Sequence, residues 1–398
     1  MNNMNFIYVG SSTPDDVMAE MQRIGSYVNF AGHTLQEALL EGFAKHCPQM
    51  KIITNWTTTP FPKLKRLHFR PRVMSYGNNR GNYIYTGLLN LPFICMISRF
   101  VRTRRQLKKF LEKGDENVVV IYEVHSPFLL AVATLRKRIQ KSCLIVPDLP
   151  EFMHGKGNVL RAFAKKVDKK IIDWCIRRID CFALLSEPMR ERLPIEDKPW
   201  VLMEGIFQGE RPAEEPVKEP YKTIMFAGNL GTFKGIKTIV DAFEMIEGDD
   251  YRLWIRGDGE YKTELLRIAE KDKRITWFPP MTREEVLDHE RRSTIMVNGA
   301  EPDFDAALYF FPSKTMDYMA SGSPTVMFHL GCMPEEYGQY IYYVEGEGAK
   351  GLRDKMVEVC EKPEEELKAF GKRAQDFIFE YKNPKVQCGK IIHLLESL

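Results

Sequence analysis

Short apolar runs alternate with longer segments of helical period along the whole chain. In the first half the candidate strands are Phe6–Val9, Lys51–Thr54, Val118–Tyr122, Leu144–Val146, Cys181–Leu185 and Trp200–Met203. In the second half they are Thr223–Ala227, Arg252–Ile255, Ile275–Phe278, Ile295–Val297 and Thr325–Phe328. Strands that alternate with helices are typical of βα units and parallel sheets. The pattern therefore predicts an α/β protein.

The rhythm is interrupted once, near the middle of the chain. Residues 208–221 (QGERPAEEPVKEPY) lose the apolar period and gather Pro, Glu and Lys, as a linker does. We predict a first domain at 1–207, a linker at 208–221 and a second domain at 222–382. The last segment, 383–398, is predicted to be a helix. One expectation is that this helix crosses back to the first domain.

The first helix has a start signal. Thr34 and Glu37 stand three residues apart, which is the spacing of a capping box. This pair predicts that the helix begins at Leu35.

Composition narrows the class of protein. The chain has 398 residues, of which 44% are hydrophobic and 28% charged, and that length allows two domains with packed cores. Eight cysteines occur without CxxC spacing, which indicates neither a zinc site nor a disulfide framework. No apolar run approaches the roughly 20 residues of a spanning helix, and the N-terminus lacks the pattern of a signal peptide. We therefore expect a cytoplasmic protein.

Charge is unevenly distributed. Residues 1–200 carry 31 Lys and Arg against 18 Asp and Glu, whereas the remainder carries 26 against 36. The excess is sharpest in residues 51–110, which contain thirteen Lys and Arg and no acidic residue. A solvated basic face is one interpretation. The other interpretation is that these residues dock on an anionic membrane surface, at the inner face of the cell membrane. The amphipathic segment Val159–Ile179 is then either a second membrane-binding element or an ordinary core helix.

A glycine-rich turn follows the strand Thr223–Ala227. Gly228 and Gly231 permit a tight backbone there, and Lys234 stands just before a helix of clean apolar period. Backbone amides, a helix N-terminus and a lysine together favour an anion site, although an ordinary βα turn has the same appearance. The next strand is followed by Arg256 and Gly257 in a weaker version of the same pattern.

A second candidate lies in FPSKTMDYMASGSPTVMF, residues 311–328. Ser313 is placed to cap a helix that Gly322 ends. Lys314 then falls in the first turn, where a cation is unfavourable unless an anion is present, and a phosphate would supply one. Asp317, one turn on, is placed to accept hydrogen bonds from a ribose.

Four motifs in this order resemble the donor-binding domain of glycosyltransferase family 4: AGNLGTFKGIKTIVDAF, WIRGDGEY, MVNGAEP and FPSKTMDYMASGSP. In the first half, GHTLQEALLEGF, VIYEVHSPFLLAVA, VPDLPEFM and FALLSEPMRERL resemble its acceptor domain. The likeness spans almost the whole chain and is closest to bacterial enzymes that build capsular and exopolysaccharides. It implies the GT-B fold, in which two Rossmann-like βαβ domains face each other across a cleft.

The resemblance implies roles for residues of the second half. It implies that Gly231, Lys234 and Gly235 bind the donor diphosphate. The residue patterns described above add further candidates for donor binding, which are Gly228, Arg256, Gly257, Ser313 and Lys314. The family usually has two glutamates with seven residues between them. Asp317 occupies the second position, but Tyr309 occupies the first. Contacts to the sugar must then come from elsewhere, and the backbone of residues 311–314 is one candidate.

In the first half the resemblance places the acceptor near Gly32, His33, Asp148 and Glu151. His125 follows a strand and has either a catalytic or a structural role. The histidine that such enzymes commonly carry after the next strand is missing, and the carboxylates of Asp148 and Glu151 are the candidates for polar contact with sugar or acceptor. Catalysis is therefore assigned to Asp148, His125 and Lys234.

Together these features predict a retaining glycosyltransferase with a nucleotide-diphosphate-sugar donor and a saccharide or lipid-linked saccharide acceptor. No metal and no other cofactor are expected. A nucleotide-sugar epimerase, or another non-transferring enzyme on the same fold, is the alternative. A nucleic-acid-binding protein is suggested by the aromatic residues within the basic run. The acidic second half weighs against it, so no nucleic-acid partner is expected.

Overall fold

The computed structural model describes residues 4–26, 30–76, 79–151, 159–214, 216–231, 235–279, 281–302 and 305–398. The chain forms two compact units. The first comprises Met1–Ile206 and Pro384–Leu398, and the second Phe207–Asn383. Each unit has its own sheet and its own buried core.

The first unit holds an eight-stranded sheet in the order β10-β9-β8-β7-β1-β2-β5-β4 within the described residues. Its strands are β1 Met4–Gly10, β2 Lys51–Asn55, β4 Arg72–Tyr76, β5 Asn79–Thr86, β7 Glu116–Tyr122, β8 Lys141–Val146, β9 Cys181–Leu184 and β10 Trp200–Leu202; β3 His68–Phe69 and β6 Leu88–Leu89 form a separate antiparallel pair. Neighbouring strands are parallel except β4 and β5. Central strands such as β7 and β8 are almost wholly buried, because helices cover both faces of a parallel sheet.

The helices of the first unit are α1 Asp15–Arg23, α2 Phe30–His46, α3 Ile94–Phe110, α4 Ser126–Ala133, α5 Val159–Ile176, α6 Met189–Arg192 and the C-terminal α13 Pro384–Glu396. Helix α13 packs on α2, where Cys388 donates to the Leu39 carbonyl. The buried Gln387 amide donates to the carbonyls of Met203 and Gly205 at 2.7 and 2.8 Å. These contacts hold the end of the chain in the first unit.

The second unit holds a six-stranded parallel sheet in the order β13-β12-β11-β14-β15-β16 within the described residues. Its strands are β11 Lys222–Ala227, β12 Tyr251–Arg256, β13 Ile275–Phe278, β14 Ile295–Asn298, β15 Thr325–Phe328 and β16 Ile341–Val344. Its helices are α7 Ile236–Glu244, α8 Lys262–Lys271, α9 Arg283–Arg292, α10 Lys314–Ser321, α11 Gly348–Cys360 and α12 Glu364–Tyr381. The alternation of strand and helix in each unit confirms the α/β class.

Several sequence-based expectations are corrected. The predicted strands match observed strands to within a few residues, but β3, β4, β5, β6 and β16 were not predicted. Strand β4 is an edge strand that alternates half-buried and exposed positions, so it lacks an apolar run. Strand β16, IYYV, is a short apolar run that is buried at both ends, and it was overlooked. Helix α2 begins at Phe30 and not at Leu35. The Glu37 carboxylate accepts from the Ser12 hydroxyl at 2.6 Å instead of closing a capping box.

The segment 208–221, predicted as a linker, packs against the second unit. The Lys218 ammonium donates to the carbonyls of Arg291 and Ser293 and to the Ser323 hydroxyl, each at 2.8 Å. Burial lowers the pKa of Lys218 to about 8. The segment is therefore tied to one unit and is not a free tether.

Within the amphipathic segment Val159–Ile179, the apolar residues that recur at helical spacing do not form the buried face of α5; they are Val159, Phe163, Val167, Ile171 and Trp174. Ile172, Cys175 and Ile176 are buried, whereas Val167 and Trp174 are each 43% exposed. The side chains of Val159 and Phe163 lie outside the described part. None of the helices in the described ranges is long and apolar enough to cross a membrane.

Candidate active site

Two loops of the second unit are joined by backbone hydrogen bonds where β11 and β12 end. Gly228 donates to the Arg256 carbonyl at 2.9 Å, Leu230 to that of Asp258 at 3.0 Å, and Tyr261 to that of Leu230 at 3.1 Å. The two strands are parallel neighbours, so their carboxyl ends share one edge of the sheet. This edge is where open α/β sheets bind ligands.

Glycine is required here because backbone meets backbone. A Cβ on Gly257, whose φ is +147°, would lie 1.8 Å from the Gly228 carbonyl oxygen. A Cβ on Gly235, whose φ is +76°, would lie 1.9 Å from the carbonyl group of Gly299, which follows β14. The glycines thus bring three loops together and place the start of α7 against the loop after β14.

The amides of the predicted anion-binding turn are largely used within the protein. Besides Gly228 and Leu230, the Gly231 amide donates to the Asn229 side-chain oxygen at 2.8 Å. These three amides therefore build the loop. Lys234 lies outside the described residues, so its role stays a prediction.

Arg256 ends β12 with its side chain turned toward the start of α9. Its guanidinium donates to the Met281 carbonyl at 2.6 Å. The buried Nε has no hydrogen-bond partner in the described part of the chain. A buried donor without a partner is costly in free energy, so this group is a candidate for contact with a bound anion.

Helix α10 carries three of the predicted residues. Ser313 precedes it as expected, but its side chain makes no capping hydrogen bond. Lys314 lies 3.1 Å from Asp317, which Arg283 of α9 approaches to 3.7 Å. The anion that the first-turn lysine needs is thus supplied in part by Asp317 itself. The Lys314 side chain is 51% exposed and is able to exchange this partner for a phosphate.

The structure attaches α10 to the glycine-rich edge. The buried Tyr318 hydroxyl donates to the Ala227 carbonyl at 2.8 Å and accepts from the Ala227 amide at 3.1 Å. Ala227 is the last residue of β11, directly before Gly228. Asp317 is therefore next to, and Lys314 one turn before, a residue fixed to the candidate donor site. Tyr309, in place of the family's first glutamate, is 5% exposed and belongs to the core.

Glu301 was not predicted from the sequence. It follows β14 at the same edge and accepts from the Thr238 hydroxyl of α7 at 2.7 Å. Its position shortly after a buried strand was the available signal. The contact adds a held carboxylate beside the start of α7.

In the first unit, polar side chains gather where β1 ends. Gln36 of α2 accepts from the Ser11 amide at 2.9 Å, and its own amide donates to the Gly32 carbonyl at 3.3 Å. Gly32 and His33, predicted to contact an acceptor, therefore belong to the helix turn that packs on this loop. Gln36 is the residue that sequence reasoning missed.

Glu123 was also missed, and it lies at the end of the neighbouring strand β7. Its φ is +68°, which is rare for a residue other than glycine. Burial raises the pKa of this carboxyl to about 7, while a hydrogen bond with Ser11 and the charge of Arg99 oppose the rise. Asp148, after β8, adds a repulsion that raises it further. The structure thus brings Glu123 and Asp148 to one edge of the sheet.

The remaining predicted residues of the first unit have mixed outcomes. His125 is the N-cap residue of α4, and its ring meets that of Phe128 edge-on at 4.8 Å. This contact gives His125 a structural role, and its catalytic role stays a prediction. Glu151 is exposed and lies 3.8 Å from Arg192. In the described ranges no three His, Cys, Asp or Glu side chains cluster as metal ligands.

Comparison with known families gives one match. Residues 221–362 match the family described as glycosyl transferases group 1. This range begins just before β11 and contains every described residue of the candidate donor site. No curated protein matches the chain.

Solved structures resemble the chain over nearly its full length. Sucrose-phosphate synthase from Thermosynechococcus elongatus has a TM-score of 0.65 at 13% identity, and the alignment covers 99% of this chain and 98% of that one. HepE from Anabaena, in complex with UDP, has a TM-score of 0.64 at 11% identity with 99% and 100% covered. The trehalose-phosphate synthase (UDP-forming) of Burkholderia xenovorans, in complex with glucose-6-phosphate, has 0.62 at 11% with 98% and 100% covered.

At these identities the structural likeness establishes the fold, which is the GT-B class with two Rossmann-like units. The family match supplies the class of enzyme. The protein is a glycosyltransferase whose second unit carries a group 1 glycosyltransferase domain.

Proposed function

We propose that the protein is a retaining glycosyltransferase that moves a sugar from a nucleotide-diphosphate-sugar onto a saccharide or lipid-linked saccharide. The observation that carries the proposal is the position of the family match. It contains the joined glycine loops, Arg256 and the Lys314–Asp317 pair. These groups offer cations, which a diphosphate needs, and a carboxylate for a ribose.

Named relatives of the fold support the donor class. HepE is in complex with UDP, and the trehalose-phosphate synthase is described as UDP-forming. We propose a nucleotide-diphosphate-sugar for this chain on the same grounds, without assigning its base or sugar. The proposed setting is the synthesis of cell-surface polysaccharide, as the family 4 resemblance implies, by an enzyme at the cytoplasmic side of the membrane.

The chemistry asks mainly for stabilisation of a leaving diphosphate. A retaining transfer brings the acceptor to the face that the nucleotide leaves. Negative charge grows on the phosphate oxygens as the bond between sugar and phosphate breaks. Lys234, Lys314 and Arg256 are proposed to stabilise it. Asp148 is proposed to orient the sugar or acceptor, and the leaving phosphate to take the acceptor proton.

The proposal is tested by product formation. The protein, incubated with a panel of nucleotide-sugars and saccharide acceptors, is expected to yield a product that contains donor sugar joined to acceptor with the anomeric configuration retained. Turnover is expected to survive EDTA, because the proposed site neutralises the diphosphate with side chains. A rearranged nucleotide-sugar without transfer would instead support the epimerase alternative.

Separate variants test the proposed roles. Lys234→Ala and Lys314→Ala are each expected to weaken nucleotide binding by about 1.5 to 3 kcal/mol, because each removes a charge-assisted contact to phosphate. Titration calorimetry with the nucleotide measures the loss. Asp148→Asn is expected to keep measurable turnover and full nucleotide affinity.

Lys350→Ala is the matched control for the lysine variants, since Lys350 is an exposed lysine of the same unit, on α11. Unchanged affinity in both Lys234→Ala and Lys314→Ala would remove the diphosphate site. An inactive Asp148→Asn beside a nearly normal Lys234→Ala would reverse the division of roles.

A further inference from the structure

Helix α3 exposes a row of large apolar side chains. Ile94, Ile97 and Val101 recur at three- and four-residue spacing and therefore share one face. They are 44%, 62% and 52% exposed, and Phe93, just before the helix, is 72% exposed. Single exposed apolar residues are ordinary on a protein surface, but a contiguous row marks a contact surface. We call these four residues the α3 ridge.

The backbone presents Phe93 outward. Its φ is +62°, in the left-handed region that bulky residues seldom occupy. The ring gains no burial in return for this conformation, since most of its surface remains accessible. The packing of the folded unit alone therefore gives no reason for an aromatic residue at this position.

The same helix face becomes basic toward its C-terminus. Arg105 and Lys108 continue the spacing of Ile97 and Val101, and both are exposed, as is the neighbouring Lys109. Residues 51–110 contain no Asp or Glu to offset them. An apolar half followed by a basic half is the arrangement of a helix that lies in an anionic membrane interface.

The ridge lies toward the functional edge of the first sheet. The C-terminal end of α3 meets the beginnings of the strands, where the Phe110 carbonyl accepts from Asn5 and Lys51. The N-terminal half, which carries the ridge, meets Trp56, directly after β2. This is the carboxyl edge of the parallel strands, the edge that also carries Ser11, Glu123 and Asp148.

We propose that the α3 ridge and its basic continuation dock the first unit on an anionic lipid bilayer. The proposal rests on the proposed function, because an enzyme held there would meet a lipid-linked acceptor at the sheet edge described above. Apolar insertion and attraction to anionic headgroups act together, so neither part suffices for tight binding.

The test is co-sedimentation of the full chain with phosphatidylcholine vesicles with and without phosphatidylserine, at low and high salt. Binding is expected only to the phosphatidylserine vesicles, and to weaken with salt. Ile97→Ser with Val101→Ser, and separately Arg105→Glu with Lys108→Glu, are each expected to reduce the partition coefficient about tenfold. Val217→Ser, at a residue 86% exposed in the second unit, is the control and is expected to leave it unchanged.

Three outcomes would overturn the proposal. The first is vesicle binding that the α3 variants do not alter, and the second is no binding at all. The third is a protein that sediments as a dimer and becomes monomeric in Ile97→Ser with Val101→Ser, because the ridge would then contact a second copy. Product formation with a water-soluble acceptor, measured on the same samples, separates the proposals: normal turnover without vesicle binding rejects the membrane surface and leaves the transferase function intact.

Discussion

Gly235→Ala is expected to destabilise the second unit by about 3 kcal/mol or more and to lower turnover about a hundredfold. Gly235 has a φ of +76°, and a methyl group there would lie 1.9 Å from the Gly299 carbonyl. The left-handed conformation costs a non-glycine residue about 1 to 2 kcal/mol, and displacement of a packed loop adds a similar amount. The turnover loss follows because α7 and the loop after β14 would move apart, and small displacements at a site have large kinetic effects.

Two further glycines serve as matched controls. Gly348 has a φ of +56° with open space at its Cβ, so Gly348→Ala is expected to show only the cost of conformation, about 1 to 2 kcal/mol. Gly338 has open space and an ordinary φ, so Gly338→Ala is expected to be close to neutral. Chemical unfolding of the three variants and their turnover are the measurements. A Gly235→Ala protein no less stable than Gly348→Ala would show that the Gly299 loop yields easily and does not fix the site.

Glu290→Gln is expected to stabilise the protein at alkaline pH. Glu290 of α9 is fully buried, and neither carboxyl oxygen has a hydrogen-bond partner within the described ranges. Burial, with a smaller contribution from Asp317, raises its pKa from 4.5 to about 8. The unfolded chain therefore releases this proton at a lower pH than the folded chain. The stability contributed by the neutral carboxyl is complete below about pH 4.5 and is lost progressively up to about pH 8.

The variant lacks this pH dependence because glutamine does not titrate. Between pH 5 and pH 9 the free energy of unfolding of the parent is expected to fall by roughly 3 to 5 kcal/mol more than that of Glu290→Gln, at about 1.4 kcal/mol per pKa unit. Unfolding measured at both pH values gives the difference. Glu284→Gln, at an exposed residue of the same helix, is the control. Parallel pH profiles for Glu290→Gln and the parent would mean that Glu290 is ionised in the folded protein.

The position of Glu290 bears on the candidate donor site. It is buried near Asp317, and its charge also acts on Tyr318, whose hydroxyl holds the end of β11. Ionisation of Glu290 would therefore place a negative charge close to the helix that carries Lys314. Nucleotide affinity measured across pH 6 to about 9 would show whether the two effects are linked.

Much of the candidate donor site could be predicted from the sequence. Gly228, Gly257 and Lys314 stand directly after strands or at a helix start, and those positions are readable because turn chemistry is local. The hydrogen bonds that consume the amides of Gly228, Leu230 and Gly231 could not be predicted, since they depend on the pairing of two loops from separate strands. Glu123 was not predicted as a site residue, because its burial and its unusual backbone conformation arise only on folding. Arg256 was predicted, but without its contact to the Met281 carbonyl.

The sequence by itself determined the α/β class, the buried strands and the order of strand and helix, because parallel strands covered on both faces require continuous apolar runs. Only the tertiary structure decided the edge strand β4, whose half-buried and exposed positions lack such a run. It also decided that α13 packs on α2, that Gly235 meets Gly299, and that Glu290 is buried beneath α10. Each of these is a contact between residues distant in sequence, and a local pattern does not specify its distant partner.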